Sequence, residues 1–432
     1  MRKHTFATGF LTSACTLLVI GISIVPISST VAEDPRQVSR GETNPLEPFE
    51  LMVAPVSKSN RRNSEATVIN LSDGSLLLAY TRFRAGVHDL SPADIVTCVS
   101  SDGGKTWTKP HVVTKGDDAT GNVLSASFLR LGSGAIALFY CKLTNVEGIG
   151  VFHDLKMRVS HDEGQTWDSE RTLNILGNHS QVLLNDKAIR LSTGRILLPT
   201  YCGLSPFSPD PEFVQPLISD DDGETWFPSP YRVCRQVKTR GGLSESSVVE
   251  RGDGSLLMIS RTNSGFMYRS ESQDCGETWK RPVATDIPAS GSPSSLCRIP
   301  GSDDILLICN QITKEESRWG FSRHRLTAFI SKDGGQTWIH RRNLSSMDER
   351  TYIPPEEGGP RGKLERYATE EQRAEKMKEL GLQDNGVTMA EYSSLLFVGR
   401  MAVITYDIYG TGMIGHALQL RILPVEWFYE NP

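Results

Sequence analysis

An all-β chain folded as a six-bladed β-propeller is predicted by two internal repeats and by an apolar content sufficient to fill the spaces between stacked sheets. The pattern Ser-x-Asp-x-Gly-x-Thr-Trp occurs five times, at Ser100 to Trp107, Ser160 to Trp167, Ser219 to Trp226, Ser272 to Trp279 and Ser331 to Trp338. Its tryptophans are 60, 59, 53 and 59 residues apart, the period of a unit that cannot bury its own apolar face and stacks against copies of itself. Each box reads as a hairpin turn: Ser and Asp bond backbone amides, Gly takes the left-handed conformation, and Trp buries a large ring beside the strand. The boxes are therefore expected to hold the fold and not to carry chemistry.

The second repeat counts the units independently. Strand-turn-strand runs recur at 66–80, 126–140, 187–201, 246–260, 294–310 and 392–406, each with apolar and β-branched residues on both sides of a turn, as hairpins buried between neighbouring blades require. Five boxes and six hairpins fit six blades, the last of which, from about Val387 to Phe428, lacks a box. A strand from Phe49 to Pro55 is expected to join that blade, so that residues 47–432 form one propeller.

Of the 432 residues, 38% are hydrophobic and 22% charged, an ordinary globular balance that supplies the core this architecture needs. The 46 basic and 51 acidic side chains leave a net charge of −5. That charge gives no footprint for a phosphate backbone, so nucleic acid is not an expected partner.

Residues 1–32 read as an export signal. Arg2, Lys3 and His4 precede an apolar stretch from Phe10 to Val25 and a small-residue cleavage site, Thr30-Val31-Ala32. The mature chain is expected to start near Glu33 with a polar lead-in over 33–46, to be exported to the periplasm or the exterior, and to have no stable membrane insertion. Cys15 leaves with the signal, and the other seven cysteines lack metal-ligand spacing, so buried single thiols with at most an incidental disulfide are expected. The charged stretch 345–385 interrupts the pattern before the last blade. In it Thr369-x-x-Gln372, ahead of Ala374, Met377 and Leu380, predicts a capped helix, either a surface decoration or a cover on one side of a site.

Residues at similar offsets from the hairpin turns are expected at similar heights around the central channel. Glu65 and Glu245 lie nine residues before Gly74 and Gly254, and Tyr392 seven before Gly399. Arg82, Arg261 and Asp407 lie seven or eight beyond the same turns, while Asp89 and Arg323 sit in connections between second and third strands. All converge on the face away from the boxes. Arginines, carboxylates and a tyrosine in one funnel suit a carboxylated substrate, because guanidinium groups hold a carboxylate bidentately and stay charged at any working pH. His153, His179 and His416 show no ligand spacing and receive no role.

From about residue 50 to 428 the chain resembles the bacterial sialidase (exo-α-neuraminidase) family of box-bearing propellers. The resemblance implies that Asp89, eleven residues before Ser100, is the acid/base, with Asp94 as its rival. It implies that Tyr392, in Glu391-Tyr392-Ser393-Ser394-Leu395, is the nucleophile, and that Glu245 is its proton-accepting partner. Arg261 and Arg323, the latter eight residues before Ser331, match the second and third arginines of the family's substrate-binding triad. For the first, the family's Arg-Ile-Pro is replaced by Arg61-Arg62-Asn63-Ser64-Glu65; Arg62 is the assignment and Arg61 the alternative, and if Glu65 takes that position instead, the clamp loses one member and gains a like charge. Asp407 stands where the family has a glutamate.

The implied activity is retaining hydrolysis of terminal sialic acids on glycoconjugates, without metal or organic cofactor. A tyrosine nucleophile makes physical sense because the substrate carries a carboxylate on its anomeric carbon, which would repel a carboxylate nucleophile. A non-catalytic glycan-binding propeller, and a glycosidase or lyase acting on another acidic sugar, are the alternatives.

Overall fold

The computed structural model describes residues 46–430 except 117–120, 147–149, 177–179, 204–211, 235–241, 290, 361–364 and 366–368. The expected signal and nearly all of the lead-in, together with Cys15 and His179, lie outside the described residues. The described fold is all-β apart from two short helices, Lys314–Arg318 and Glu370–Glu379, and two 3-10 turns. No described helix is long and apolar enough to cross a membrane.

Four-stranded antiparallel sheets follow one another along the chain. The first comprises Arg62–Asn70, Leu76–Phe83, Ala93–Ser100 and His111–Lys115, and the second Gly121–Arg130, Ile136–Val146, Gly150–Ser160 and Arg171–Thr172. The fourth runs Ser244–Glu250, Leu256–Arg261, Phe266–Ser272 and Val283–Pro288, and the fifth Ser295–Arg298, Ile305–Asn310, Leu326–Ser331 and Ile339–Ser345. The last sheet joins Met389–Val398, Met401–Tyr409 and Ala417–Pro424 to Phe49–Ala54, which pairs with the strand Ala417–Pro424 from Phe49 opposite Ile422 onward.

The third run of strands is split. Ile189–Arg190, Ile196–Leu198, Leu217–Ser219 and Phe227–Pro228 form one sheet, and Ser180–Val182, Tyr201–Gly203 and Phe213–Val214 another. The breaks fall at Pro199 and Pro216, which have no N–H to offer the ladder. The Thr200 hydroxyl bridges the gap by donating to the Gln215 carbonyl at 2.6 Å.

Apolar clusters fill the spaces between successive sheets. Ile95 and Ile136 belong to the cluster between the first and second sheets, Leu307 and Ile259 to that between the fourth and fifth, and Val68 and Leu420 to one between the first and the last. First strands meet at the centre. Asp186 accepts from the Thr67 hydroxyl of the first sheet and the Leu395 amide of the last, both at 2.8 Å.

All five boxes share one bonding pattern. The serine hydroxyl accepts the amide of the box glycine, as in Gly104 to Ser100 at 2.8 Å, and the aspartate accepts both the amide and hydroxyl of the threonine, as in Thr106 to Asp102 at 2.9 and 2.6 Å. These bonds hold the Asp102, Asp162 and Asp221 carboxyls down at about 2. The residue before the box glycine also takes positive φ, 59° at Glu163 and 58° at Asp222. Its side chain then reaches the first hairpin turn of the preceding sheet: Glu163 accepts the Ser72 amide at 3.0 Å, and Asp222 the Gly132 and Ser133 amides at 2.6 and 2.8 Å. Boxes and first hairpin turns therefore share a side. The box tryptophans, expected to bury their rings beside the strands, are unequally covered: Trp279 and Trp338 are buried, whereas Trp107, Trp167 and Trp226 are only half-buried.

Candidate functional site

Four first strands carry the same irregularity. Between Ser64 and Thr67, Leu124 and Ser127, Ser244 and Ser247, and Glu391 and Ser394 the first strand has one residue more than its partner, a β-bulge. Each bulge holds a non-glycine residue at positive φ: Glu65 at 56°, Ser125 at 65°, Glu245 at 46° and Tyr392 at 51°. Such backbone costs about 1–3 kcal/mol per residue and persists where the surroundings over-determine it. Here it turns one side chain per strand out of the usual alternation, and three of the four are the chemistry-bearing residues singled out by their offsets. Ser125 shares that offset, nine residues before Gly134, and was recognisable from it.

Tyr392 is half-buried, with the Arg323 guanidinium carbon 5.5 Å from its ring centroid. Burial first, and then the Glu245 charge, push its phenol up to about 12, against the pull of Arg323. The hydroxyl is thus a neutral donor at working pH, and a nearby base must take its proton for it to attack carbon. Its carbonyl accepts from Asn185 Nδ2 at 3.2 Å.

Glu245 accepts from Arg261 Nη1 at 2.5 Å. The Tyr201 phenol is raised by burial and by the Glu245 charge, and the Glu212 carboxyl is raised by burial with Glu245 and Arg261 nearby. Neither residue was singled out in the sequence, although Tyr201, seven beyond Gly194, shares the offset of Arg261 from Gly254; no repeat offset marks Glu212.

Arg323 is paired with Glu391, the residue immediately before Tyr392, and its Nη2 donates to the Gly291 carbonyl at 3.3 Å. Its backbone is fixed too: the Arg323 carbonyl accepts the Ala390 amide at 2.8 Å and Asn310 Nδ2 at 3.2 Å. Two residues on, Arg325 and Glu316 are fully buried together at 2.9 Å, with Arg325 also 2.5 Å from Asp348. Arg350 closes this network onto Glu316 and Asp348, both at 3.0 Å. The helix Glu370–Glu379, capped by Thr369 and Gln372, lies against the same connection, with Lys376 3.2 Å from Glu315 and Arg373 over the Phe321 ring. The charged stretch thus braces the segment that carries Arg323.

Asp89 stands in the 84–92 loop, whose turn requires Gly86 at φ 78°, where an added Cβ would lie 2.4 Å from the Ser91 hydroxyl. The Asp89 side chain remains 67% exposed while accepting from Arg62 Nη1 at 2.5 Å, and its carbonyl accepts from Asn122. Its rival Asp94 is buried and tied to Arg82 at 3.3 Å and Arg84 at 3.1 Å. Asp94 and Arg82 therefore form a structural pair apart from this group.

Arg62 is buried, its guanidinium 4.5 Å from the Phe83 ring centroid. It binds Glu65 at 3.1 Å as well as Asp89. Arg61, the alternative, instead donates to the Ile414 carbonyl. Glu65 accepts from the Ser125 hydroxyl at 2.5 Å, and burial raises its carboxyl to about 7 against the pull of Arg62. Asp407 is buried, accepts from the Ser64 hydroxyl and, at 3.1 Å, from the Glu65 amide, and is raised by burial to about 8. Asp407 thus pins the Glu65 bulge and acts on Arg62 through its charge.

His153 has its Nδ1 2.8 Å from the Ser180 hydroxyl, and His416 is pushed down to about 4 by burial and by Arg62 and Arg323. No cluster of His, Cys, Asp and Glu among the described residues has the arrangement of a metal site. Five of the seven cysteines there are buried.

Residues 93–393 match the BNR repeat-like domain. A sialidase of Paraclostridium sordellii is 26% identical over 294 residues, covering 60% of this chain and 68% of that protein. A sialidase of Bacteroides fragilis is 25% identical over 314 residues, 64% of this chain and only 54% of its own length. Among solved structures, the intramolecular trans-sialidase from Ruminococcus gnavus superposes with a TM-score of 0.61 at 16% identity, covering 87% of this chain and 97% of that one. The Trypanosoma rangeli sialidase gives 0.62 at 15% identity over 87% of this chain and 59% of its own. The repeats, the sheets and these similarities agree, and the chain belongs to the bacterial sialidase-like family of BNR-repeat proteins.

Proposed function

We propose that this protein is an exported, retaining exo-α-sialidase whose successive sheets are the blades of a six-bladed propeller. The observation that carries the reading is the placement of Tyr392 and Glu245 at equivalent bulges, each beside an arginine of the site. Binding a terminal sialic acid sets its carboxylate among the guanidinium groups and its anomeric carbon before the Tyr392 oxygen.

In the first step the Tyr392 oxygen bonds to that carbon while its proton passes to Glu245. The glycosidic C–O bond breaks, and Asp89 gives its proton to the departing oxygen, releasing an alcohol. In the second step Asp89 takes a proton from water as the water oxygen displaces Tyr392, which recovers its proton from Glu245. Two inversions give net retention, and the protons balance on these three residues and water.

Burial of the neutral phenol supports this division of labour, since its raised value makes a nearby proton acceptor necessary. One feature favours a second reading, a related glycosidase for another acidic sugar: Glu65 places an extra carboxyl beside Arg62, the residue assigned as the first arginine of the family's triad. Turnover of a fluorogenic α-sialoside beside a panel of uronic-acid glycosides separates the two. Replacing Tyr392 by Phe should lower turnover of the preferred glycoside by several orders of magnitude while leaving the melting temperature and analogue binding in place. Near-normal turnover in that variant would exclude the mechanism.

A further inference from the structure

Arginine offers five N–H groups, two on each terminal nitrogen and one on Nε. In Arg62 the two hydrogens of Nη1 go to the Asp89 carboxylate at 2.5 Å and the Val87 carbonyl at 3.2 Å. Those of Nη2 go to the Ser64 hydroxyl at 3.2 Å and the Glu65 carboxylate at 3.1 Å. Only Nε is without a partner, and it is buried. Both terminal nitrogens, the edge that would grip a ligand carboxylate in a fork, are thus spent inside the protein.

Arg261 and Arg323 differ. The hydrogen bonds of Arg261 among the described residues reduce to one, from Nη1 to Glu245, which leaves Nη2 for a ligand. Arg323 meets Glu391 through Nη1 and the Gly291 carbonyl through one hydrogen of Nη2. Arg323 lies over the Tyr392 ring, and Arg261 pairs with Glu245 at the bulge equivalent to that of Tyr392. Arg62, by contrast, bridges the 84–92 loop and the Glu65 bulge through Asp89, Val87 and Glu65.

We propose that Arg62, with Glu65, is a positioning residue for Asp89, and that the acid group of the substrate is held by two arginines, Arg261 and Arg323. The proposal deepens the reading above and rests on it for the role of Asp89. The substrate class becomes narrower: an α-glycoside with a single carboxylate gripped from the Tyr392 side, its leaving group directed toward the Arg62–Asp89 pair. The Glu65 carboxyl is then a fixed prop under Arg62, held from behind by Ser125 and by the Asp407-bonded backbone.

The test compares Arg62→Met with Arg261→Met in three measurements: affinity for an unreactive 2,3-unsaturated sialic acid, steady-state turnover, and amide hydrogen exchange across residues 84–92. Arg62→Met should keep the analogue Kd within about threefold and lower kcat about a hundredfold or more through misplacement of Asp89. It should also speed exchange in the 84–92 loop. Arg261→Met should weaken the analogue by about a hundredfold and leave that loop unchanged. Arg62→Lys, which restores one cation but not the two-sided bridge, should recover part of the turnover and of the protection, and serves if the Met variant does not fold.

An analogue affinity that falls as far in Arg62→Met as in Arg261→Met, with exchange in 84–92 unaltered, overturns the proposal. Failure of the unmutated protein to bind the analogue or cleave any sialoside would instead strike the sialidase reading. The exchange measurement then still decides whether Arg62 holds the loop.

Discussion

Glu65 and Ser125 meet across the first two sheets, the serine hydroxyl donating to the carboxylate at 2.5 Å, and each residue occupies the positive-φ position of its own bulge. The contact buries a carboxyl next to a second one, since Asp407 accepts the Glu65 amide from the other side. Two acids and one guanidinium, that of Arg62, therefore share a space closed to water.

The first prediction concerns pH. Burial raises Glu65 from 4.5 to about 7 and Asp407 from 3.8 to about 8. The unfolded chain ionises these groups first, so unfolding releases protons across that window and stability falls as pH rises through it. Below the unfolded values both states are protonated and the effect vanishes. Melting temperatures of the unmutated protein and of Glu65→Gln, taken from about pH 4 to about pH 8, should diverge in favour of the variant as pH rises. A constant gap would show that folding does not raise the Glu65 carboxyl.

Glu391→Gln tests the pairing with Arg323. The amide keeps the shape but loses the charge that aims the guanidinium, and a misaimed binding group lowers kcat/KM by about ten- to a hundredfold. If Arg323 serves binding alone, the loss should appear in KM with kcat unchanged. An unchanged kcat/KM would mean that the Gly291 and Asn310 contacts suffice to hold Arg323.

Box tryptophans should differ in worth. Trp338 is buried in the cluster between the fourth and fifth sheets, and Trp338→Ala should cost about 3–5 kcal/mol in denaturant unfolding. Trp167, half-buried and stacked on Phe128 at 6.0 Å, has less area to lose, and Trp167→Ala should cost about half as much. Equal losses would show that the turn, not the ring's burial, sets the contribution.

Arg325→Met should destabilise the protein by about 3–5 kcal/mol, because it leaves Glu316 charged and buried without its main partner. Proteolysis within 346–385 should accelerate in the same variant, since Asp348 loses its anchor there. A stability within error of the parent would mean that Arg350 alone neutralises the pair.

The parts of this fold visible in the sequence are those whose backbone demands a residue type. A box turn needs two consecutive left-handed residues, glycine always at the second, with Ser, Asp and Thr bonding around them, so five copies stand out. The strand Phe49–Ala54 was legible because its alternation needs a neighbour. Pro199 and Pro216 were in view, yet the split of the third run escaped notice, because a hairpin pattern continues through both. At the site, offsets from the turns located Glu65, Glu245 and Tyr392, whereas Glu391 and Glu212 became functional neighbours only through contacts between distant segments. The commitment of Arg62 could not be read at all, for it depends on where the 84–92 loop places Asp89.

The strand Phe49–Ala54 has a consequence for synthesis. Its partner, Ala417–Pro424, leaves the ribosome more than three hundred residues later, and Leu418, Leu420 and Ile422 complete the cluster that covers Val68 and Leu78. During vectorial synthesis the first sheet therefore waits with one apolar flank uncovered, and the closing contact is among the most non-local in the chain. Folding to completion is coupled to the arrival of the final strand, and a chain stalled before it presents an aggregation-prone edge.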